Sequence, residues 1–176
     1  MKYKQFNKRF LLFLACSCLF VLFATAQEVT VNNLAVLKPG SNINFEIDFS
    51  KCSIMGMNEN DFSKYERDWF KDKPVIIVKF QKGINSKLDG ILNIGSFASS
   101  PYILKVTVKS ISEVGNLFCD AVMTDKSGKV LFRVKKVNGG NEPPFLPGTK
   151  LAKIKIWANL TGRALGSILK SEYLDQ

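Results

Sequence analysis

Stretches of alternating apolar and polar residues indicate four strands that each have one buried face. One stretch covers residues 42–49, and three more follow one another between residues 104 and 134. Their inward-facing side chains are predicted to be Ile43, Phe45, Ile47 and Phe49, then Leu104, Val106 and Val108, then Leu117, Cys119, Ala121 and Met123, and then Val130, Phe132 and Val134. The connections at 113–116 and 125–128 contain the glycine that tight hairpin turns favour. We therefore predict a half-buried strand and, later in the chain, an antiparallel unit of three strands.

The segment between the first strand and this unit is predicted to contain a helix and a further strand. Asn58 is a suitable N-cap for a helix that runs to about Lys71, and Pro74 is expected to end it. Every position of Val75–Val78 is apolar, which is typical of a strand covered on both faces, so we place this run at the centre of the sheet. A short helical spacing at 84–91 follows and is interrupted by glycine.

The C-terminal segment from Thr149 to about Lys170 is predicted to be an amphipathic helix that packs on the sheet. Its apolar stripe consists of Leu151, Ile154, Ala158, Thr161, Leu165 and Ile168. Gly162 and Gly166 lower the helix propensity, so we expect them to allow close approach to the sheet, the alternative being close approach to a partner's backbone. The elements together predict an α+β fold: a mixed, mostly antiparallel sheet with this helix and one earlier helix packed on it.

The first 26 residues have the three parts of an export signal. A basic start ends at Lys8-Arg9, an apolar run of 14 residues covers 10–23, and the small residues Ala24-Thr25-Ala26 precede Gln27. The apolar run is short for a membrane-spanning helix, and it continues beyond Cys16, where a lipoprotein would become polar. We therefore expect cleavage after Ala26, a mature single domain over 27–176 without a membrane span, and a periplasmic or surface-associated location.

Composition and charge narrow the classes of function. After residue 26 the chain carries 21 basic and 15 acidic residues, a net charge of +6, which favours anionic partners such as glycans and lipid headgroups. The chain contains no histidine, which excludes Ser/His/Asp and Cys/His catalysis and histidine-based zinc sites. Glycine-rich phosphate-binding motifs and dense basic runs interleaved with aromatic residues are absent from the sequence. We expect no cofactor, no metal, no nucleic-acid partner and no enzymatic activity.

Two groups of carboxylates nevertheless require an interpretation. Glu46 and Asp48 lie about 7 Å apart on one strand face, a spacing that an inverting glycosidase can use. The same alternation exposes both to solvent, so a glycan-processing hydrolase is kept only as the alternative function. A second group is predicted to cap and pair on a helix surface, with Lys64 beside Asp68, and not to hold calcium. Its members are Glu59, Asp61, Glu66 and Asp68.

Cys52 and Cys119 are the cysteines that remain after the predicted cleavage. Export to an oxidising compartment allows a disulfide between them. We favour two buried free thiols, because Cys119 falls on the apolar side of its strand.

Basic residues on either side of the loop 138–148 are the candidate binding residues. Arg133, Lys135 and Lys136 end one predicted strand, while Lys150, Lys153 and Lys155 open the last helix. They are predicted either to converge on an anionic ligand or to form a solvated face. Phe145, in the same loop, is either an exposed anchor for another protein or packed on its own core.

Several short motifs follow one another along the chain: Phe45-Glu46-Ile47-Asp48-Phe49-Ser50, Ile54-Met55-Gly56, Trp69, Phe80, the strand 102–112, Asp125-Lys126-Ser127-Gly128-Lys129-Val130 and Ala164-Leu165-Gly166. Their order resembles small secreted proteins of unknown function from Gram-negative bacteria. The layout is similar, more distantly, to envelope accessory domains such as the N-terminal domain of TolB and the lipoprotein activators of peptidoglycan synthases. The resemblance implies partner binding without catalysis. We therefore predict a monomeric accessory domain that binds another envelope protein or an anionic envelope glycan or lipid.

Overall fold

A computed structural model describes residues 27–141 and 148–176 of the chain. The predicted leader, including its cleavage site, and Phe145 lie outside the described residues. The strands are β1 (Glu28–Asn32), β2 (Ser41–Asp48), β3 (Ser53–Ile54), β4 (Leu92–Gly95), β5 (Tyr102–Ile111), β6 (Leu117–Asp125) and β7 (Val130–Val137). The helices are α1 (Glu59–Tyr65), α2 (Trp69–Leu88) and α3 (Lys150–Leu174), with one 3-10 turn at Leu34–Val36.

The seven strands form one mixed sheet in the order β1-β7-β6-β5-β2-β4, and β3 pairs with the end of β5. Strands β5, β6, β7 and β1 pair antiparallel, whereas β2 runs parallel to both β4 and β5. The predicted α+β fold with a mixed, mostly antiparallel sheet and a C-terminal helix is therefore confirmed.

The predicted alternation determines which side of the sheet is buried. Along β5, Leu104, Val106 and Val108 are fully buried, while the intervening Lys105 and Lys109 are exposed. We use the term open sheet face for the side of the sheet that Lys105 and Lys109 occupy. Its central row, in register across four strands, is Glu46, Lys105, Val122 and Arg133.

The helical region after β3 differs from the prediction. The helix capped by Asn58 ends at Tyr65, and a second helix, α2, begins at Trp69 and continues through Pro74 to Leu88. Proline removes one backbone donor and restricts its own φ, but it lies within the first two turns here, and tertiary packing of the remaining helix outweighs that local cost. The expectation that Pro74 ends the helix is wrong.

The run Val75–Val78, predicted as a central strand, is part of α2. Ile76 is fully buried, and Phe80 and Ile84 follow it at intervals of four residues on the same side of the helix. Val75 and Val78 are exposed instead. A continuous apolar run of four residues fits either a buried strand or a helix, and here the four-residue interval beyond the run identifies the helix.

Glycines allow α2 and α3 to approach each other very closely. A Cβ at Gly83 would overlap the carbonyl oxygen of Asn159, and a Cβ at Gly162 would overlap that of Phe80. A Cβ at Gly166 would overlap the carbonyl oxygen of a further α2 residue. The expectation that Gly162 and Gly166 approach the sheet is therefore corrected, because the neighbouring backbone belongs to α2.

The edge strand β4 was not predicted, and α2 covers its outer side. The side-chain amide of Asn85 accepts the N–H of Ile94 at 2.9 Å and donates to the Ile94 carbonyl at 2.7 Å. Gln81 donates to the same carbonyl at 3.1 Å. These side chains occupy backbone groups that an unpaired edge would otherwise offer to another strand.

Candidate functional site

The two carboxylates of the alternative function lie on the open sheet face. Glu46 is exposed and stands opposite Lys105 in the sheet register. Asp48 accepts a hydrogen bond from the backbone N–H of Ser50 at 2.8 Å. This N–H, aided by the Ser50 hydroxyl, lowers the pKa of Asp48 below its usual value. A general acid requires the opposite shift, so nothing in this geometry favours the hydrolase.

The acidic group near α1 forms structural contacts. Glu59 accepts hydrogen bonds from the Trp69 indole N–H at 2.8 Å and from the Lys73 ammonium at 2.6 Å. Lys64 pairs with Asp61 at 2.8 Å and not with Asp68. Among the described residues, no three acidic, cysteine or histidine side chains are grouped so that they could hold a metal ion.

Both cysteines of the described chain are buried free thiols. Burial raises the pKa of Cys52 to about 12 and raises that of Cys119 as well. Neither thiol has the electropositive, accessible surroundings of a reactive cysteine.

The structure divides the candidate basic residues between two sides of the molecule. Arg133 and Lys135 alternate with the buried Phe132 and Val134, so they lie on the open sheet face. Lys136 has a positive φ of 59°, and its N–H donates to the Asp120 carboxylate at 3.1 Å.

The lysines that open α3 contact the other helices. The Lys150 ammonium lies 4.0 Å from the centre of the Tyr65 ring, and Lys155 pairs with Asp72 at 2.7 Å. Lys153, between them, is half-buried. Arg133 and Lys135 thus lie on the open sheet face while Lys150 and Lys155 contact helices, and convergence of the two groups on one ligand stays a prediction.

Most of the positive charge instead lies on the helices. Helices α2 and α3 carry ten basic and two acidic residues, a net charge of +8, whereas the whole chain after residue 26 carries +6. One of the two acids, Asp72, is already paired with Lys155. The rest of the chain after residue 26 thus has a net charge of −2.

Apolar side chains lie among these charges. Val78 is 46% exposed and Ile156 is 42% exposed. We name this surface the basic helical face and define it by Lys71, Val75, Val78, Lys79, Lys82, Ile156 and Arg163, all of which are exposed. Sequence reasoning missed it because the segment containing Val78, Lys79 and Lys82 was not assigned to one helix.

A shallow groove follows the line between the two helices on this side. It has a volume of about 500 Å³, and Lys79 lines it from α2 while Ile156, Asn159 and Leu160 line it from α3. Helices α2 and α3 run in the same direction, since Asp72 meets Lys155 near their beginnings and Gly166 meets α2 further along. The close glycine contacts therefore hold both exposed stripes side by side.

No protein-family model matches the chain, and no curated protein matches it in sequence. Among solved structures, the chain is similar to the PelC dodecamer from Paraburkholderia phytofirmans, with 10% identity, a TM-score of 0.43, and coverage of 80% of this chain and 96% of that one. A single-substitution variant of the same PelC dodecamer gives 8% identity, a TM-score of 0.42, and coverage of 80% and 95%. Likeness of this degree carries no inference about function or assembly, and the monomer stays a prediction.

No helix of the described residues combines the length and hydropathy needed to cross a bilayer.

Proposed function

We propose that this protein is an exported, non-catalytic accessory protein that binds the anionic lipid surface of the cell envelope through the basic helical face. The observation that carries the proposal is the presence on one surface of four exposed basic side chains, Lys71, Lys79, Lys82 and Arg163, beside exposed aliphatic side chains. Basic amphipathic helices that lie in a membrane interface combine these same two features.

The exposed apolar side chains favour a lipid surface over a soluble polymer. Lysines alone attract any polyanion, whether glycan, nucleic acid or lipid. Val78 and Ile156, in contrast, gain free energy only where the partner offers apolar groups, at roughly 25 cal/mol per Å² removed from water. A bilayer offers phosphates and acyl chains within a few ångströms of each other, which suits a surface that mixes both side-chain classes.

The lysines Lys79 and Lys82 provide a second argument for an anionic partner. They are three residues apart on α2, so their like charges face each other and slightly destabilise the helix in isolation. A negative surface reverses this cost, because each lysine near an anionic leaflet contributes about 1 kcal/mol of binding free energy.

Sedimentation with vesicles tests the proposal, using protein produced with its own leader and purified in processed form. The protein should bind vesicles that contain phosphatidylglycerol and should not bind vesicles of phosphatidylcholine alone. The double variant Lys79→Gln, Lys82→Gln should lower the affinity about thirtyfold, the equivalent of about 2 kcal/mol.

The matched control, Lys105→Gln with Lys135→Gln, removes the same charge from the open sheet face. It should bind anionic vesicles as the wild type does. Equal losses in both variants would mean that net charge alone drives binding, and failure of the wild type to bind would overturn the proposal. If the wild type binds soluble polyglucuronate as tightly as it binds anionic vesicles, the partner is an anionic polymer and not a lipid surface.

A further inference from the structure

A second concave surface lies at the end of the sheet where β2 and β5 begin and β6 ends. Two adjoining cavities of about 400 and 300 Å³ meet there, and both are lined by Val36, Pro101 and Tyr102. We name them together the Tyr102 groove. None of the residues that line it belongs to the basic helical face, so it is a separate site.

The floor of the groove is apolar. The Tyr102 ring is half-buried, Pro101 is exposed beside it, and Val36 is 48% exposed. Phe97 adds a second half-buried ring to the larger cavity. Aromatic side chains next to polar residues suit a ligand that is apolar on one side and hydroxylated on the other, which describes a pyranose sugar.

Polar residues also line the groove. Ser99 and Asn42 line the larger cavity. The Ser100 hydroxyl donates to the Asn42 carbonyl at 2.6 Å and accepts the Tyr102 N–H at 3.0 Å. The loop before β5 is thereby fixed against β2, which lowers the entropy cost of ordering this part of the groove around a ligand.

Ammonium groups stand at both ends of the groove. Lys38 lines the larger cavity, and Lys126 and Lys129 line the smaller one. Within the described chain, these three lysines form no ion pair at 4.0 Å or less. Positive charges at opposite ends favour a ligand that carries anions on separate units over a single phosphate.

Asp125 is the one carboxylate among the described residues that line the groove, and its Oδ1 atom is occupied by the hairpin turn. It accepts the Ser127 N–H at 2.8 Å, the Ser127 hydroxyl at 2.6 Å and the Lys129 N–H at 3.1 Å. These hydrogen bonds, led by that of the Ser127 hydroxyl, lower the pKa of Asp125. The carboxylate therefore serves the turn, and the groove remains net positive.

We propose that the Tyr102 groove binds an acidic oligosaccharide. One sugar ring lies against Tyr102 and Pro101, its hydroxyls bond to Ser99 and Asn42, and carboxylates on successive sugars meet Lys38 at one end and Lys129 at the other. This site is independent of the proposed lipid binding, and either function can fail while the other holds.

Calorimetric titration of the same processed protein with tetragalacturonate tests the site, with maltotetraose as the neutral sugar and hexaglutamate as the acidic peptide. The acidic sugar should bind, and the other two should not. Lys38→Gln and Lys129→Gln should each weaken binding about tenfold, as expected for the loss of one charge-assisted hydrogen bond. Val36→Glu, an exposed substitution at the centre of the groove, should abolish binding, and Val36→Gln should weaken it less.

Two results separate this site from the helical face. The double variant Lys79→Gln, Lys82→Gln should bind tetragalacturonate with wild-type affinity, although its affinity for anionic vesicles is lowered. Val36→Glu should bind anionic vesicles as the wild type does, although it no longer binds tetragalacturonate. The proposal is overturned if the wild type does not bind tetragalacturonate, if hexaglutamate binds equally well, or if Val36→Glu retains the affinity while circular dichroism shows it folded.

Discussion

The basic helical face and the open sheet face lie on opposite sides of the molecule, and they differ in how many of their basic residues have an acidic residue nearby. On the sheet, basic side chains have acids nearby: Lys105 stands opposite Glu46, and the Lys109 ammonium lies 3.5 Å from Asp120. On α2 and α3, basic residues outnumber acids ten to two, although Lys73 is paired with Glu59 of α1 and Lys155 with Asp72. Cross-strand neighbours of opposite charge stabilise a sheet by themselves, whereas an exposed excess of one sign repels itself and attracts partners of the opposite charge. The net charge of the whole chain says nothing about this difference, because it sums the charges of both faces.

The largest effect on stability is expected for a substitution at the close contact between α2 and α3. Gly83→Ala places a methyl group against the backbone of α3 and should lower the free energy of unfolding by about 2 kcal/mol or more, even though alanine favours a helix by about 1 kcal/mol. Urea denaturation measures the change. Ser167→Ala, at an exposed position of α3, is the control and should be neutral or slightly stabilising. A Gly83→Ala protein as stable as the wild type would contradict the close packing of the helices.

A smaller effect is expected for the apolar part of the basic helical face. Val78→Gln with Ile156→Gln should leave stability nearly unchanged, because both side chains are exposed, and should lower affinity for anionic vesicles about tenfold through lost burial. Val36→Gln, an equally exposed valine outside both faces, is the matched control and should bind vesicles normally. If the affinity of the double variant for anionic vesicles is unchanged, the exposed apolar side chains contribute nothing and binding through the basic helical face is purely electrostatic.

The smallest effect concerns a carboxylate of the sheet face. The pKa of Asp48 is lowered in the folded protein, so its ionised form stabilises the fold above the unfolded-state pKa near 3.8, and this stabilisation is lost as pH falls through the folded-state pKa. Asp48→Asn should therefore be slightly less stable than the wild type at pH 7, and the difference should disappear toward pH 2. Urea midpoints at the two pH values measure it. A difference that grows in acid would contradict the hydrogen-bonded, ionised carboxylate.

The sequence was sufficient to predict the elements whose apolar residues follow a regular spacing within one segment. Alternation along β5 and β6 identified the buried residues, and the spacing of Leu151, Ile154 and Ala158 identified α3. In β7 the alternation placed Phe132 and Val134 correctly, but Leu131 is buried and Val130 only half-buried. The edge strand β4 was missed because a strand of four residues that ends in glycine carries little pattern, and its position depends on Asn85 of a helix that was itself not recognised.

Helix α2 was misassigned because two local rules outweighed a longer pattern. Pro74 and the apolar run Val75–Val78 each suggested a break, whereas the sequence Ile76, Phe80, Ile84 carries the helical interval. The role of Gly83 is a tertiary effect, visible only when its partner helix is placed beside it. Most residues of the basic helical face lie on α2, so this face could not be predicted while α2 was not recognised as one helix.

Labels at two single positions test most directly which side of the protein meets an anionic surface. Cysteine introduced at Val78 or at Lys105 can carry a nitroxide, because the buried Cys52 and Cys119 have raised thiol pKa values and should not react in the folded protein. On phosphatidylglycerol vesicles, the label at position 78 should become accessible to oxygen and protected from a water-soluble nickel complex, while the label at position 105 stays in water. A bound protein in which position 105 enters the lipid, or in which neither label changes, would contradict binding through the basic helical face.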